Sequence, residues 1–270
     1  MPLTRFVRTP EQIEEFQQAY RNPVFQESFS LSVSFLTDPE VASELLPPPL
    51  EPADEPRVSV SVYNIGRSNC VGPFDGASVN LACKYQGEPG LFCVTMPMST
   101  GVAINFGRDL FAEPKKHAEI ELIEQNGHAK GTVRRYGLTY IELIGSFDGP
   151  MEPVELSGMS HHYYFKHLPA ADGYGLASDP ELIRVTHVGQ THKAVKGVGS
   201  ITFRESAHDP LIDIPVLSVG PAALSVGETS TTAEVVAKVP QADFLPYAYA
   251  KSDDLTQWVR ASQGVGAAGR

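Results

Sequence analysis

The chain has 270 residues, 42% of them hydrophobic, and a net charge of −11. This composition can build a substantial core, and the lack of any apolar run of about 18 residues argues against a membrane-spanning helix. The negative charge argues against a basic nucleic-acid-binding surface. The first ten residues lack the apolar core of a signal peptide, so we expect a cytoplasmic protein that binds neither nucleic acid nor membrane.

Two helices are predicted in the first fifty residues. The sequence from Thr9 to Gln12 is typical of a helix start, because Thr9 can cap, Pro10 suits the first turn and Gln12 completes a capping box. An apolar stripe follows at Ile13, Phe16 and Tyr20, and we expect it to pack on the domain or on a neighbouring subunit. A second helix begins at Asp38-Pro39 and ends at three prolines, with a buried face formed by Val41, Leu45 and Leu46.

From about residue 57 the pattern changes to the alternation of β-strands. Valine alternates with serine over residues 58–62, and turns are indicated at 86–90 and at Asn126-Gly127. Further strands are predicted at 79–85, 91–96, 119–124, 130–136, 138–144, 160–167, 182–188, 193–203 and 232–239. Helices are expected only near the ends of the chain, the last of them at 248–259. The prediction is an α+β fold, mainly antiparallel β, with a closed or cone-shaped barrel and a few peripheral helices.

We expect a single domain over residues 1–270. Its parts include an N-terminal helical and extended segment at 1–50 and a flexible Gly/Ala-rich tail at 263–270. No internal repeat and no linker divides the sequence.

Neither the cysteines nor the histidines predict a metal site. No two of the three cysteines have Cys-x-x-Cys spacing, since they lie at Cys70, Cys83 and Cys93, and this argues against a zinc site or a disulfide framework. His161 and His162 are neighbours in a predicted strand, so their side chains should point to opposite faces and cannot bind the same metal ion. We therefore expect no metal.

The segment Pro114-Lys115-Lys116 carries the main chemical signal. It follows a long, weakly charged run over residues 90–107, which is typical of buried sequence. A lysine that enters an apolar site loses hydration, and a neighbouring cation also disfavours its charged form. Both effects lower the pKa of an amine and free it as a nucleophile that can form a Schiff base with a ketone.

Three motifs in the same order resemble the acetoacetate decarboxylase family, the established example of this chemistry. They are Pro47-Pro48-Pro49-Leu50, then Gly107-Arg108-Asp109-Leu110 with Pro114-Lys115-Lys116, and then the segment 210–216, which reads PLIDIPV. The resemblance implies that Lys115 forms the Schiff base and that Lys116 is the supporting cation. It also implies a homo-oligomer, a small keto acid or ketone as substrate, and no cofactor.

The sequence departs from the family at three positions. Ser61 stands where the family has an acidic residue, and the stretch 25–29 has no arginine where the family has one. Asp75 is at best a shortened and shifted replacement for a second family glutamate, and it is a candidate acid/base. These departures put acetoacetate itself in question and favour imine chemistry on another keto acid or ketone.

Three further residues are candidates for the site. Arg108 could bind a substrate carboxylate, or it could hold Asp109 or another loop carboxylate in a structural ion pair. Glu113 could transfer protons beside the imine or be an exposed carboxylate. In relatives that resemble aldolase-dehydratases a tyrosine near the C-terminus assists proton transfer, which Tyr247 could do here. Lys116 could instead point away and pair with Glu113 or Glu119.

Three functions remain open from the sequence. The first is a lysine Schiff-base lyase, most simply one that decarboxylates a β-keto acid. The second is an aldolase-dehydratase or hydratase-aldolase that uses pyruvate and an aldehyde through the same lysine. The third is a non-catalytic protein of the same fold that binds small acids.

Overall fold

A computed structural model of the protein describes residues 4–262. The helices in this part of the chain are α1 (Pro10–Arg21), α2 (Pro39–Leu45), α3 (Gly101–Phe111), α4 (Gln241–Phe244) and α5 (Thr256–Ser262), with short 3-10 turns at Leu211–Asp213 and Leu245–Tyr247. No helix within 4–262 is both long enough and apolar enough to cross a membrane. The tail expected at 263–270 lies outside the described residues.

Twelve strands of the described chain join in one sheet. They are β1 (Val24–Leu36), β2 (Glu51–Pro52), β3 (Arg57–Ser68), β4 (Phe74–Tyr85), β5 (Glu88–Met98), β6 (Lys115–His117), β7 (Glu119–Gln125), β8 (His128–Arg135), β9 (Leu138–Ser146), β10 (Glu152–Lys166), β11 (Glu181–Phe203) and β12 (Ser218–Lys238).

Seven of these strands form a closed ring. The order is β10-β5-β4-β3-β1-β12-β11, and β11 pairs with β10 to complete it. Pairing is antiparallel except where β5 meets β10 and β6. Strands β9, β8 and β7 continue the sheet from the far half of β11. The predicted fold, mainly antiparallel β with a few helices, is confirmed.

The two faces of the ring strands pack into different apolar clusters. On β3, Val58, Val60 and Val62 are fully buried, as the alternation predicts. They belong to the larger cluster, which β8 approaches so closely that a Cβ at Gly131 would lie 2.8 Å from Val62 Cβ. The smaller cluster contains Cys93, Met98, Ala103, Phe111 and Tyr164, and it joins β5 and β10 to α3. The candidate site lies beside this second cluster.

Four expected element assignments are wrong. Strand β1 was not predicted, although it supplies a central strand of the ring from within the segment 1–50. The two strands expected at 182–188 and 193–203 are one strand, β11, with a bulge between Thr191 and Lys193. Helix α3 lies in the middle of the chain rather than near an end. The last helix begins only at Thr256, because the chain forms a series of turns over residues 248–252.

The N-terminal helices begin as predicted. Thr9 and Gln12 form the capping box of α1, and Asp38 caps α2. No residue of α1 is buried, and Ile13 and Phe16 are about half exposed, so most of its apolar stripe does not pack on this chain. Tyr20, the last residue of the stripe, does contact α3, because the centroid of its ring lies 5.1 Å from that of Phe106.

Candidate active site

The segment that carries the two lysines is held by α3 and β5. Helix α3 ends at Ala112, which adopts a left-handed conformation and turns the chain. Glu113 N–H donates to the carbonyl of Gly107, and Met96 N–H donates to the carbonyl of Pro114. Strand β6 then pairs in parallel with Met96–Met98 of β5. Lys115 therefore begins a fixed strand rather than an exposed turn.

Lys115 forms a buried ion pair with Glu113. Lys115 Nζ lies 2.7 Å from Glu113 Oε2, and each side chain is 7% exposed. The alternative that Glu113 is an exposed carboxylate is wrong, because the turn after α3 directs it inward. Two opposite charges so far from water hold each other strongly, since removing either would leave an uncompensated buried charge. The pair places an amine and a proton acceptor in direct contact.

The pair fits only because residue 107 of α3 is a glycine. A Cβ at Gly107 would overlap both Glu113 Oε2 and Lys115 Nζ and would lie 2.7 Å from Lys115 Cδ. The helix backbone therefore passes directly against the two charged groups, and water is excluded from that side. The first residue of the Gly107-Arg108-Asp109-Leu110 motif is therefore a glycine for a steric reason.

Polar side chains that are buried or half-buried surround the pair. Burial, together with the charge of Glu113, raises the pKa of Tyr63, and burial also raises the pKa of Tyr164 and Cys93. Burial and the charge of Lys115 lower the pKa of His187 to about 4. Burial and His187 lower the pKa of His162 to about 3. These groups are all neutral at pH 7, so the lysine and glutamate provide the charge of the site.

The two histidines form a pair that the sequence did not predict. Their rings are 4.6 Å apart at near-right angles, and His187 Nδ1 lies 3.0 Å from Thr231 Oγ1. His161 contacts Thr186 instead, so the expectation that His161 and His162 face opposite ways is confirmed. Within residues 4–262 no three His, Cys, Asp or Glu side chains are grouped as metal ligands would be. The partner, His187, lies on a strand 25 residues away, which local spacing could not reveal.

The depressed histidine pKa values predict an acid-sensitive fold. Below pH 6.5 these imidazoles take up protons in the unfolded chain but not in the folded one, so stability is lost as pH falls from 6.5 towards 4. Between pH 7.5 and 5 each histidine should lower the free energy of unfolding by about 2 kcal/mol. Urea unfolding at both pH values measures this loss. A His187→Gln variant should lose less stability over the same interval than the parent, whereas exposed His192→Gln should lose as much. An equal loss in His187→Gln and the parent would contradict the assignment.

Lys116 points away from this site and is anchored elsewhere. Its Nζ lies 3.0 Å from Asp209 Oδ1 and donates to the carbonyl of His208 at 2.9 Å. Asp209 is also paired with Arg135, which in turn contacts Asp253. Lys116 does point away, as one alternative held, but its partner is neither Glu113 nor Glu119. Its charge is compensated on the opposite side of β6 from the Lys115–Glu113 pair.

Arg108 joins two segments of backbone. Its Nη1 donates to the carbonyl of Lys115 at 3.0 Å and to the carbonyl of Lys251 at 3.2 Å. Within the described residues it forms no ion pair, so the structural pairing with Asp109 or another loop carboxylate is not found. The guanidinium instead fixes the strand that begins at Lys115 against the C-terminal turns.

Asp75 and Tyr247 are not brought to Lys115. Asp75 accepts a hydrogen bond from Asn64 Nδ2 at 2.7 Å, and it lies on the face of β4 opposite to Phe74, a member of the smaller cluster. The hydroxyl of Ser61 is hydrogen-bonded to that of Ser32, with 2.8 Å between the two Oγ atoms. Tyr247 lines a cavity beside Lys116. Among the acidic candidates, Glu113 is the one in contact with the amine.

Comparison with known proteins identifies the family. The acetoacetate decarboxylase (ADC) family model matches residues 7–239, and the chain belongs to this family. An acetoacetate decarboxylase of Streptomyces nogalater is 28% identical over 200 residues, which cover 72% of this chain and 80% of that protein.

Solved structures share the fold. The acetoacetate decarboxylase of Legionella pneumophila superposes with a TM-score of 0.72 at 18% identity, covering 80% of this chain and 87% of that one. The enduracididine biosynthesis enzyme MppR, complexed with the condensation product of pyruvate and imidazole 4-carboxaldehyde, gives a TM-score of 0.64 at 17% identity and covers 79% and 88% of the two chains. At these identities the similarity concerns the fold alone.

Proposed function

We propose that the protein is a lyase that forms a Schiff base through Lys115 with a keto acid or ketone, and most simply decarboxylates a β-keto acid. The observation that carries this proposal is the buried contact of Lys115 Nζ with Glu113 Oε2 at 2.7 Å. Membership of the acetoacetate decarboxylase family supports the same chemistry. Many folds host several reactions, so the site and not the fold must carry the assignment.

Glu113 can perform the proton transfers that imine formation requires. The carboxylate takes the proton of the Lys115 ammonium, and the free amine attacks the keto carbon to give a carbinolamine. Glu113 then returns the proton to the hydroxyl, which leaves as water and gives the iminium. The carboxylate that faced the ammonium now faces the iminium and stabilises its charge.

The iminium is the electron sink for carbon–carbon cleavage. In a β-keto acid the electrons of the bond to the carboxylate move towards the iminium nitrogen, CO₂ leaves and an enamine forms. Protonation at the α-carbon regenerates the iminium, and hydrolysis releases the ketone and the Lys115 amine. No metal or organic cofactor is required in this scheme, because the imine provides the electron sink that a cofactor otherwise would.

The other candidate residues have supporting roles in this proposal. We propose that Lys116 acts as a positioning residue, since its ion pair with Asp209 holds β6 in place. Arg108 positions Lys115 through its carbonyl. We assign no proton transfer to Asp75 or Tyr247. Asp75 is hydrogen-bonded to Asn64, and Tyr247 lines the cavity beside Lys116.

Trapping with borohydride tests the proposal. The protein is incubated separately with acetoacetate, pyruvate and aromatic keto acids, reduced, and measured intact and after digestion by mass spectrometry. We expect an adduct on the Lys115 peptide, and the compound that traps best indicates the substrate class. No adduct with any keto compound from folded protein would exclude the Schiff-base reaction and favour a non-catalytic protein that binds small acids.

Aldol condensation followed by dehydration, or its reverse, is the second candidate reaction. MppR shares the fold and was solved with a condensation product of pyruvate and an aldehyde. In this chain Ser61 stands where the resemblance places an acidic residue of the decarboxylases, so that acid is missing here. Release of CO₂ from β-keto acids and condensation of pyruvate with aldehydes are separate assays that distinguish the two reactions.

Replacing Glu113 with glutamine should slow turnover more than it weakens substrate binding. The amide keeps the size of the carboxylate beside Lys115 but cannot take its proton, and general acid–base catalysis contributes about 10²–10⁴-fold. We therefore expect kcat to fall about 10²-fold or more with a small change in KM, measured on the keto acid that traps best. Exposed Glu119→Gln serves as the control. A kcat within about threefold of the parent's would mean that another group transfers the proton.

We also propose a homo-oligomer, as the family resemblance implies. Ile13 and Phe16 on α1 are 45% and 50% exposed, and they provide the simplest contact for a second copy. Light scattering of the purified protein measures the assembly directly, and a monomer at micromolar concentration would contradict this proposal.

A further inference from the structure

The cavity beside Lys116 lies on the side of β6 away from the Lys115 amine. Its volume is about 530 Å³, and its walls include Leu45, Phe92, Phe165, Leu211, Ile214 and Phe244. This size lies within the range of small-molecule sites, which are mostly apolar with a few polar groups that orient the ligand. Lys116 lines the cavity, but its charge is already paired with Asp209.

Lys251 is the cation of this cavity that lacks a carboxylate partner. Its Nζ donates to the carbonyl of His167 at 3.3 Å, and within residues 4–262 it forms no ion pair. Burial, with the charge of Arg108, lowers its pKa to about 8, so it is still largely protonated at pH 7. An ammonium that is partly withdrawn from water without a counterion gains from an anionic ligand.

Another polar group of the cavity could contact an anionic ligand that binds deep inside it. Thr95 is 5% exposed, and its Oγ1 has no hydrogen-bond partner within the described residues, although Thr95 lines the cavity. Its hydroxyl can donate to a ligand oxygen. Three acids also line the cavity. Asp209 is buried, but its charge is paired with Lys116 and Arg135. Glu44 and Asp213 are exposed, so water screens their charges.

We propose that this cavity is a second, non-covalent binding site for a monocarboxylate with an aromatic or branched apolar body, whose carboxylate pairs with Lys251. The apolar walls take the body of the ligand, and Thr95 donates a hydrogen bond. Cys93 and Tyr164 line this cavity as well as lying near the Lys115–Glu113 pair, but neither Lys115 nor Glu113 lines it. Because neighbouring residues of a strand point to opposite faces, a ligand beside Lys116 does not reach the amine of Lys115, and its binding needs no imine.

Arg108 links this site physically to the first one. Its guanidinium holds the carbonyl of Lys251 and the carbonyl of Lys115 together. Ala112 and Pro114, on either side of Glu113, also line the cavity. A bound ligand therefore contacts the same turn that positions the Lys115–Glu113 pair.

Calorimetric titration with 4-phenylbutanoate tests the proposal, because this acid has no keto group and cannot form an imine. The neutral control is 4-phenylbutanamide, which has the same size. We expect one carboxylate per chain, bound at least tenfold more tightly than the amide. Lys251→Met should lose that tenfold preference, Lys251→Arg should keep it, and thermal unfolding checks that both variants fold.

The Lys115→Met variant separates this site from the proposed catalytic one. Binding of 4-phenylbutanoate should be unchanged in that variant, whatever the outcome of borohydride trapping. Four outcomes overturn the proposal: no binding by the parent, equal binding of acid and amide, loss of binding in folded Lys115→Met, or an unchanged preference in folded Lys251→Met.

Discussion

Lys115→Met should lose at least about 10⁴-fold in kcat/KM and should give no borohydride-trapped adduct, since removal of a covalent nucleophile eliminates the reaction path that depends on it. Methionine keeps much of the apolar stem and removes only the reacting amine. Steady-state kinetics on the keto acid that traps best, and peptide mapping after reduction, measure the two losses. An adduct that persists on another lysine at the parent's rate would show that Lys115 is not the nucleophile.

The single variant also leaves Glu113 buried without its cation. Breaking a buried ion pair from one side costs about 3–5 kcal/mol, whereas replacing both partners can be nearly neutral. The double variant Lys115→Met/Glu113→Gln should therefore regain most of the lost stability and remain inactive. Exposed Lys196→Met should keep both stability and activity. Inactivity in the folded double variant separates the missing amine from unfolding.

Much of the ring could be predicted from residue alternation, because several of its strands alternate apolar residues with small polar ones. Strand β3 illustrates this, since its three valines are completely buried. Strand β1 carries an equally clear signal, because Leu31, Val33 and Phe35 alternate with serine and are buried. A closed barrel was expected, but the strands that close it could not be predicted, because β1 pairs with β12 and β5 pairs with β10, and these segments are far apart in the sequence.

Helix α3 was missed for a physical reason. Its sequence, GVAINFGRDLF, opens with small and apolar residues and contains two glycines, which weaken both the helical propensity and the polar face that marks a surface helix. Thr100, which accepts a hydrogen bond from Ala103 N–H, is the remaining local signal. The run 90–107 was expected to be buried; within α3 this holds for Ala103 and Gly107, whereas Val102 is 60% exposed.

The nucleophile could be proposed from the sequence, but its partners could not. Glu113 is two residues from Lys115, and whether it is exposed depends on the left-handed turn at Ala112. Asp209 lies 93 residues from Lys116, and no local pattern joins them. Lys251 is a partly buried amine next to another cation, which is the environment that the sequence predicts for Lys115. Lys251 acquires this environment only through tertiary contacts.

Gly107→Ala should abolish most activity without unfolding the protein. Alanine favours a helix interior over glycine by about 1 kcal/mol, so α3 itself gains. The added methyl group, however, would overlap Glu113 Oε2 and Lys115 Nζ, the flexible ends of two side chains that can move aside. The cost therefore appears as displacement of the reacting groups, and misplacement by about 1 Å can reduce a rate about 10²-fold.

Gly101→Ala is the matched control for this variant, because it lies in the same helix and a Cβ there would meet no atom within 4 Å. It should keep full kcat/KM, while Gly107→Ala loses about 10²-fold or more at a similar melting temperature. Full activity in Gly107→Ala would show that the Lys115–Glu113 pair can move without consequence, which would remove the geometric basis for proton transfer by Glu113. Loss of folding in Gly107→Ala but not in Gly101→Ala would instead show that the pair is held too rigidly to yield.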